Sequence, residues 1–192
     1  MRHADRRVVR ERLRNEAGFG LIELLIAMVM LNIGILALVG AFNSGAVALA
    51  RASKVSNAAT LADTQMELFR GMKYTSIVQD TAEWNAALAD ATWTADYAYQ
   101  NNMKAPITAP KALVAPVTGG VCAGTPVPLS CDPSRLVTGA DGRSYRVDTY
   151  LYYDQPSGGQ QLKVITIVVR DSSQTSLSLA RLTSTFDSST GS

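Results

Sequence analysis

The sequence is poor in the residues that most often carry chemistry. It contains one histidine, His3, and two cysteines, Cys122 and Cys131. A single histidine near the start of the chain gives no basis for a histidine-dependent hydrolase triad. Without a second cysteine pair, no tetrahedral Cys/His metal set can be drawn. No glycine-rich phosphate loop with a lysine occurs, and no run of spaced oxygen ligands suggests a calcium loop. Asp132-Pro133 and Asp141-Gly142 read as turn dipeptides. Asp148 and Asp154 flank a hairpin, where solvated carboxylates are the expectation. Proline is absent before Pro106, so nothing interrupts a helix over the first half of the chain. The expectation is a protein that is not an enzyme and takes no cofactor and no metal.

Charge is also missing where length makes its absence count. Residues 19–42 start at Phe19, end at Phe42 and hold one charge, Glu23, and one amide, Asn32. As a helix this run spans roughly 36 Å, enough to cross a hydrocarbon core of about 30 Å. A core helix of a soluble domain would be shorter and would show a polar stripe. The run therefore reads as a transmembrane segment with lipid as its partner. Residues 1–18 carry six arginines against Asp5, Glu11 and Glu16, while the rest of the chain carries 12 Lys+Arg against 13 Asp+Glu. The net charge of +2 thus sits in the leader, and no basic body invites nucleic acid. Positive charge before the run places the N-terminus inside and the C-terminus outside. In an oxidising compartment Cys122 and Cys131 suit a disulfide closing a short loop, worth roughly 2–3 kcal/mol by the chain-entropy model. Two free thiols are the alternative.

A secretory signal puts its small-residue cleavage site after the apolar region. Here the small pair, Ala17-Gly18, comes before it. Cleavage after Gly18 would remove the arginines, keep the whole helix and expose an amine at Phe19. That gives Glu23 a possible partner. A carboxylate at the bilayer centre costs about 2.5–3.5 kcal/mol, less near an interface. Glu23 could pair with the Phe19 amine of its own chain, pair with that of an axially shifted neighbour, or snorkel to the headgroups.

Gly18-Phe19-Gly20-Leu21-Ile22-Glu23, after a charged leader and before Leu24-Leu25-Ile26-Ala27, resembles the prepilin signature of type IV pilins and type II secretion pseudopilins. The resemblance covers residues 14–39. It implies that Gly18 is the last leader residue, cut by prepilin peptidase, and that Phe19 becomes an N-methylated terminus. It implies that Glu23 pairs with the Phe19 amine of an adjacent subunit during assembly. The implied partners are prepilin peptidase, other pilin or pseudopilin subunits met through the N-terminal helix, and an inner-membrane assembly platform. The implied location is the inner membrane, single-pass, and then an extracellular pilus or periplasmic pseudopilus. Gly20 departs from the threonine that the family often has there. Proline is absent from the apolar helix, where Gly34, Gly40 and Gly45 are expected to supply flexibility instead.

Past the membrane run, Val55, Ala59, Ala62, Met66 and Phe69 recur at helical spacing and predict an amphipathic half ending at Arg70, with Gly71 as its cap. Asp80-Thr81-Ala82-Glu83 predicts a capped helix through Ala89 with Trp84 and Leu88 inward. Trp93, Tyr97 and Tyr99 read as loop or short strand, packed in the core rather than binding a sugar or base. Residues 105–142 are turn-rich and read as one long irregular connection. Alternation predicts a strand at 145–153, and β-prone composition between turn clusters adds antiparallel strands at 162–170 and 177–186. The expected fold is α+β and pilin-like, a long helical spine against a small antiparallel sheet. Its divisions are 1–18 leader, 19–45 transmembrane or filament-core helix, 46–72 amphipathic helix, 73–144 loop-rich segment, 145–187 sheet and 188–192 frayed tail. The expected role is a minor pilin, in layout resembling the PilV-like group. The rival readings are a pseudopilin, or a single-span anchored binding protein that does not polymerise. A DNA-uptake pilin would need an exposed patch from Arg135, Arg143 and Arg146.

Overall fold

A computed structural model describes residues 20–188. It contains one long helix, α1 (Leu21–Arg70), and three short ones, α2 (Thr81–Ala89), α3 (Ala91–Thr94) and α4 (Tyr97–Asn102). Five strands follow: β1 (Lys111–Leu113), β2 (Ser134–Thr138), β3 (Ser144–Asp154), β4 (Leu162–Asp171) and β5 (Gln174–Phe186). The helix runs unbroken through Gly34, Gly40 and Gly45. The chain divides into two compact units, residues 1–49 and 50–192. Within the first, the large apolar side chains from Leu21 to Leu49 are exposed.

The second unit, the head, is built on one antiparallel sheet. β3, β4 and β5 pair in sequence order, and β1 and β2 share the other edge of β3, β2 along its start and β1 along its end. The sheet has five strands rather than the three expected from the sequence. β1 and β2 are short pieces inside the turn-rich segment, too short to show a period of their own. β3 and β4 each bury eight residues, because both faces of the sheet are covered. On one face Tyr145, Val147, Leu151, Ile165, Ile167 and Val169 meet Ala58, Ala62, Met66 and Phe69 of α1. The fold class is therefore α+β, with a long helix against a small antiparallel sheet. The buried stripe of α1 runs through Ala58, Ala62, Gln65, Met66 and Phe69. Val55 and Ala59, expected inward, are exposed. An amide at Gln65 disguises the stripe, since its side chain is used to hold Arg135 and the Leu129 carbonyl.

On the opposite face Tyr150, Tyr152, Val164 and Val168 pack against Trp84, Ala87, Trp93 and Ala98 of the short helices. Ala87 turns inward where Leu88 was expected, and Leu88 is exposed. The segment around Trp93, Tyr97 and Tyr99 is helical, not loop or strand. Aspartates start these helices: Asp80 accepts from the Ala82 and Glu83 amides, Asp90 from those of Thr92 and Trp93, and Asp96 from that of Ala98. Such caps are worth about 0.5–2 kcal/mol each.

Asp90 and Asp96 each cap with Oδ1 and use Oδ2 on an arginine of the sheet. Asp90 Oδ2 takes Arg146 Nη1 at 2.7 Å, and Asp96 Oδ2 takes Arg170 and Arg181. Asp148, 0% exposed, joins the two halves by accepting from Arg146 Nε at 2.8 Å and from Arg170. The order Asp90–Arg146–Asp148–Arg170–Asp96–Arg181 is a chain of alternating charge under the helices. Asp148 is thus a buried centre and not a solvated hairpin flank. Removing a buried partner leaves uncompensated charge, typically at 3–5 kcal/mol. Asp148→Asn, which keeps the shape and removes the charge, is expected to destabilise the head by about that amount in thermal denaturation of the full chain in detergent.

Candidate functional site

The sequence points first to the start of α1. Gly18 and Phe19, the expected cleavage pair, lie outside the described residues. Glu23 falls in the first turn of α1, where its amide bonds the Gly20 carbonyl at 3.0 Å. The position is suited to a carboxylate, because the helix N-terminus carries partial positive charge. Its side chain is exposed, and among the described residues it forms no ion pair. Around and beyond it stand Leu21, Ile22, Leu24, Leu25 and Ile26, all more than half exposed. Fully burying one such side chain is worth about 1.5–3 kcal/mol. Over the whole stretch to Leu49 the unburied total is on the order of tens of kcal/mol. α1 is the one described helix long and apolar enough to cross a membrane. What this unit offers chemically is an apolar surface in need of an apolar environment, with one carboxylate near its end.

In the head, Cys122 and Cys131 are joined in a disulfide with Cα atoms 5.6 Å apart. The end of that loop and the segment before it are fastened by their backbone as well. Cys131 accepts from the Asp80 amide at 2.9 Å, and Val117 exchanges bonds with Gln79 and Thr81 at 2.8 and 2.9 Å. Gln79 in turn donates to the Thr149 carbonyl from a buried position.

The aromatic group is core. Trp93 is fully buried, stacks on Tyr150 at 4.8 Å, meets Trp84 edge-on at 5.3 Å and donates to the Pro133 carbonyl. Tyr97 alone among these rings stands out, 71% exposed. The three arginines that would make a nucleic-acid patch do not form one. Arg146 is buried between Asp90 and Asp148, Arg135 is held by Gln65, and only Arg143 is largely exposed, beside Asp141.

Arginine partners set the electrostatics of the ion chain. Burial pushes the Asp96 carboxyl up. The Arg181 hydrogen bond, the Ala98 amide and the nearby guanidinium charges outweigh it and leave the pKa below the ordinary carboxylate value. Asp90 is lowered in the same way by Arg146 and its capped amides, against burial. Reading by residue type missed this chain. Its signal was present as Arg146, Asp148 and Arg170 at alternate positions on two strands, a charged row on a face otherwise apolar.

The comparisons with known proteins bear on the first unit alone. Residues 13–39 match the family model described as the prokaryotic N-terminal methylation motif. Neither the curated proteins nor the solved structures give a significant match. The motif supports a type IV pilin or pseudopilin-type protein, and the long helix on a small antiparallel sheet is consistent with a pilin-like fold.

Lys163 generates a pH prediction for the head. It is 2% exposed, donates to the Tyr74 and Ile77 carbonyls at 2.7 Å each and sits 4.6 Å from the Tyr74 ring. Burial lowers its pKa to about 8, against about 10.4 unfolded. The unfolded chain therefore binds more protons between these values, and stability rises with pH across that window. The stability of the native chain relative to Lys163→Met is expected to climb between about pH 8 and 10, measured by denaturant titration at each pH.

Proposed function

We propose that this chain is a structural subunit, a minor pilin, of a type IV pilus. It is inserted in the inner membrane with its N-terminus inside and its head outside. Prepilin peptidase cuts after Gly18, Phe19 becomes the methylated terminus, and α1 then leaves lipid for the core of a filament. The observation that carries this reading is the methylation motif at residues 13–39 on a helix whose large apolar side chains from Leu21 to Leu49 are exposed. Both lipid and a bundle of like helices supply the environment that such a surface needs.

Glu23 is the residue that distinguishes a filament subunit from a plain anchor. In lipid a carboxylate is a cost. Beside the Phe19 amine of an axially shifted neighbour it is half of an ion pair in a low-dielectric setting, where such a pair is strong. The reading also places the disulfide-closed loop and the sheet on the outside of the assembly. A type II secretion pseudopilin is the second reading, and the same motif favours it equally.

The testing experiment compares Glu23→Ala with the native chain in cells that make the filament. The variant is expected to insert in the inner membrane at least as well, by fractionation, and to be missing from sheared filaments or pseudopili. Incorporation at the native level would reduce α1 to an anchor. Recovery of the native chain in surface pili or in periplasmic pseudopili decides between the two machines.

A further inference from the structure

The short helices leave part of the sheet open beside β5. A cavity of about 480 Å³ lies there, between α3, the start of α4 and the stretch of β5 from Thr175 to Arg181. Small-molecule sites run from about 300 to 1,000 Å³. Two of its lining residues come from the end of the buried ion chain, Asp96 and Arg170, with side chains 3% and 6% exposed. Arg181 lies beside them and is 36% exposed on its side chain. Hydroxyls line the walls. Thr92 comes from the helix side and Thr175 and Ser178 from β5, and Thr92 Oγ1 lies 3.5 Å from Thr175 Oγ1. Tyr97 lines the same cavity and is 71% exposed. Among the described aromatic residues of the head it is the one that is exposed.

The chemistry of this lining selects its ligand by charge first. The carboxylates and guanidiniums here are matched within the chain Asp90–Arg146–Asp148–Arg170–Asp96–Arg181, three of each. An ionic ligand would bring a charge whose counter-charge is already engaged. A wholly apolar ligand would take water from hydroxyls and a guanidinium and return no hydrogen bond. A neutral ligand with hydroxyl groups meets both demands. Its hydroxyls donate and accept, as those of Thr92, Thr175 and Ser178 do. Arg181 gives Nη2 to Asp96, and a guanidinium has five N–H donors, so hydrogen bonding is open to it where charge is not. The exposed ring of Tyr97 adds an apolar surface with a polar tip. Polar edges together with one apolar C–H face describe a pyranose.

We propose that this cavity is a binding site for a neutral sugar unit of a glycan. The ring of Tyr97 takes the C–H face of the pyranose. Arg181 and the hydroxyls of Thr92, Thr175 and Ser178 take its hydroxyl edge. Asp96 and Arg170 hold Arg181 and the start of α4 in place from beneath. The site lies wholly within the head, so it does not depend on how α1 is used, and failure of filament assembly would leave it standing.

The test uses the full chain in zwitterionic micelles, because an alkyl glycoside detergent would compete. The probes are the methyl glycosides of glucose, galactose, mannose and N-acetylglucosamine, with glucuronic acid, glucosamine and adenosine for contrast. Saturation-transfer NMR is expected to show binding of at least one neutral glycoside, tighter than that of either charged sugar. Hydrogen exchange should then slow in α4 and in β5 from Thr175 to Arg181. Tyr97→Ala removes an exposed ring and should keep native melting while weakening that binding about three- to tenfold. Tyr97→Phe keeps the ring face and should bind within about twofold of the native chain. The proposal is overturned if no neutral glycoside binds, if protection falls elsewhere, or if a charged sugar binds as tightly. It is also overturned if Tyr97→Ala binds like the native chain, if Tyr97→Phe loses binding as Tyr97→Ala does, or if adenosine outbinds every sugar.

Discussion

The large apolar side chains from Leu21 to Leu49 are exposed, and nothing among the described residues covers them. That constraint governs the rest of the molecule. A surface of this kind is stable in lipid or against other helices, so the first unit is defined by what it must be surrounded with. Glu23 acquires its meaning from the same constraint. In water a carboxylate on a helix N-terminus is unexceptional. On a helix that water must leave, it needs a partner, and the methylation motif is the context in which cleavage would create one.

The head meets the opposite problem. Its sheet is apolar on one face and apolar around a charged row on the other, and both faces are covered by its own chain. α1 covers one face with a stripe of small and large apolar side chains. The other face is covered by three short helices that would be marginal alone. They hold because Asp90 and Asp96 each serve two masters, a helix terminus and a sheet arginine, with Asp148 between the arginines. Replacing such a chain with apolar residues can be neutral or better for stability. Its use here is to fix one docking of the helices among the many that an apolar face would allow. The sheet then ends at β5, where coverage runs out.

Much of this was legible in the residues. The spine could be read from an uninterrupted apolar run and the spacing after it, and the three long strands from alternation and β-prone composition between turns. The capped start of α2 could be read from Asp80 and Glu83. What stayed hidden did so for physical reasons. β1 and β2 are short edge strands whose existence depends on β3 being there to pair with. α3 and α4 are single turns or little more, held by aspartates whose capping role looks like turn chemistry until their arginines are in view. Gln65 interrupts the apolar stripe of α1 because it is used as a polar hook, and this shifted the predicted buried face by about one position. In the sequence Asp148 reads as a solvated flank, because what buries it, the pairing of β3 with β4 that brings Arg170 beside it and the helices above, exists only in the fold. At the N-terminus sequence did more than structure, since a signature of spaced residue types survives where Gly18 and Phe19 lie outside the described residues.

The most direct measurement of the central claim is the mass of the mature N-terminus, taken on chain purified from cells with an active prepilin peptidase. A chain that begins at N-methylated Phe19, with residues 1–18 removed, is the predicted result. A chain that retains those residues in the presence of the peptidase would contradict the account, because Glu23 would then have no amine to find.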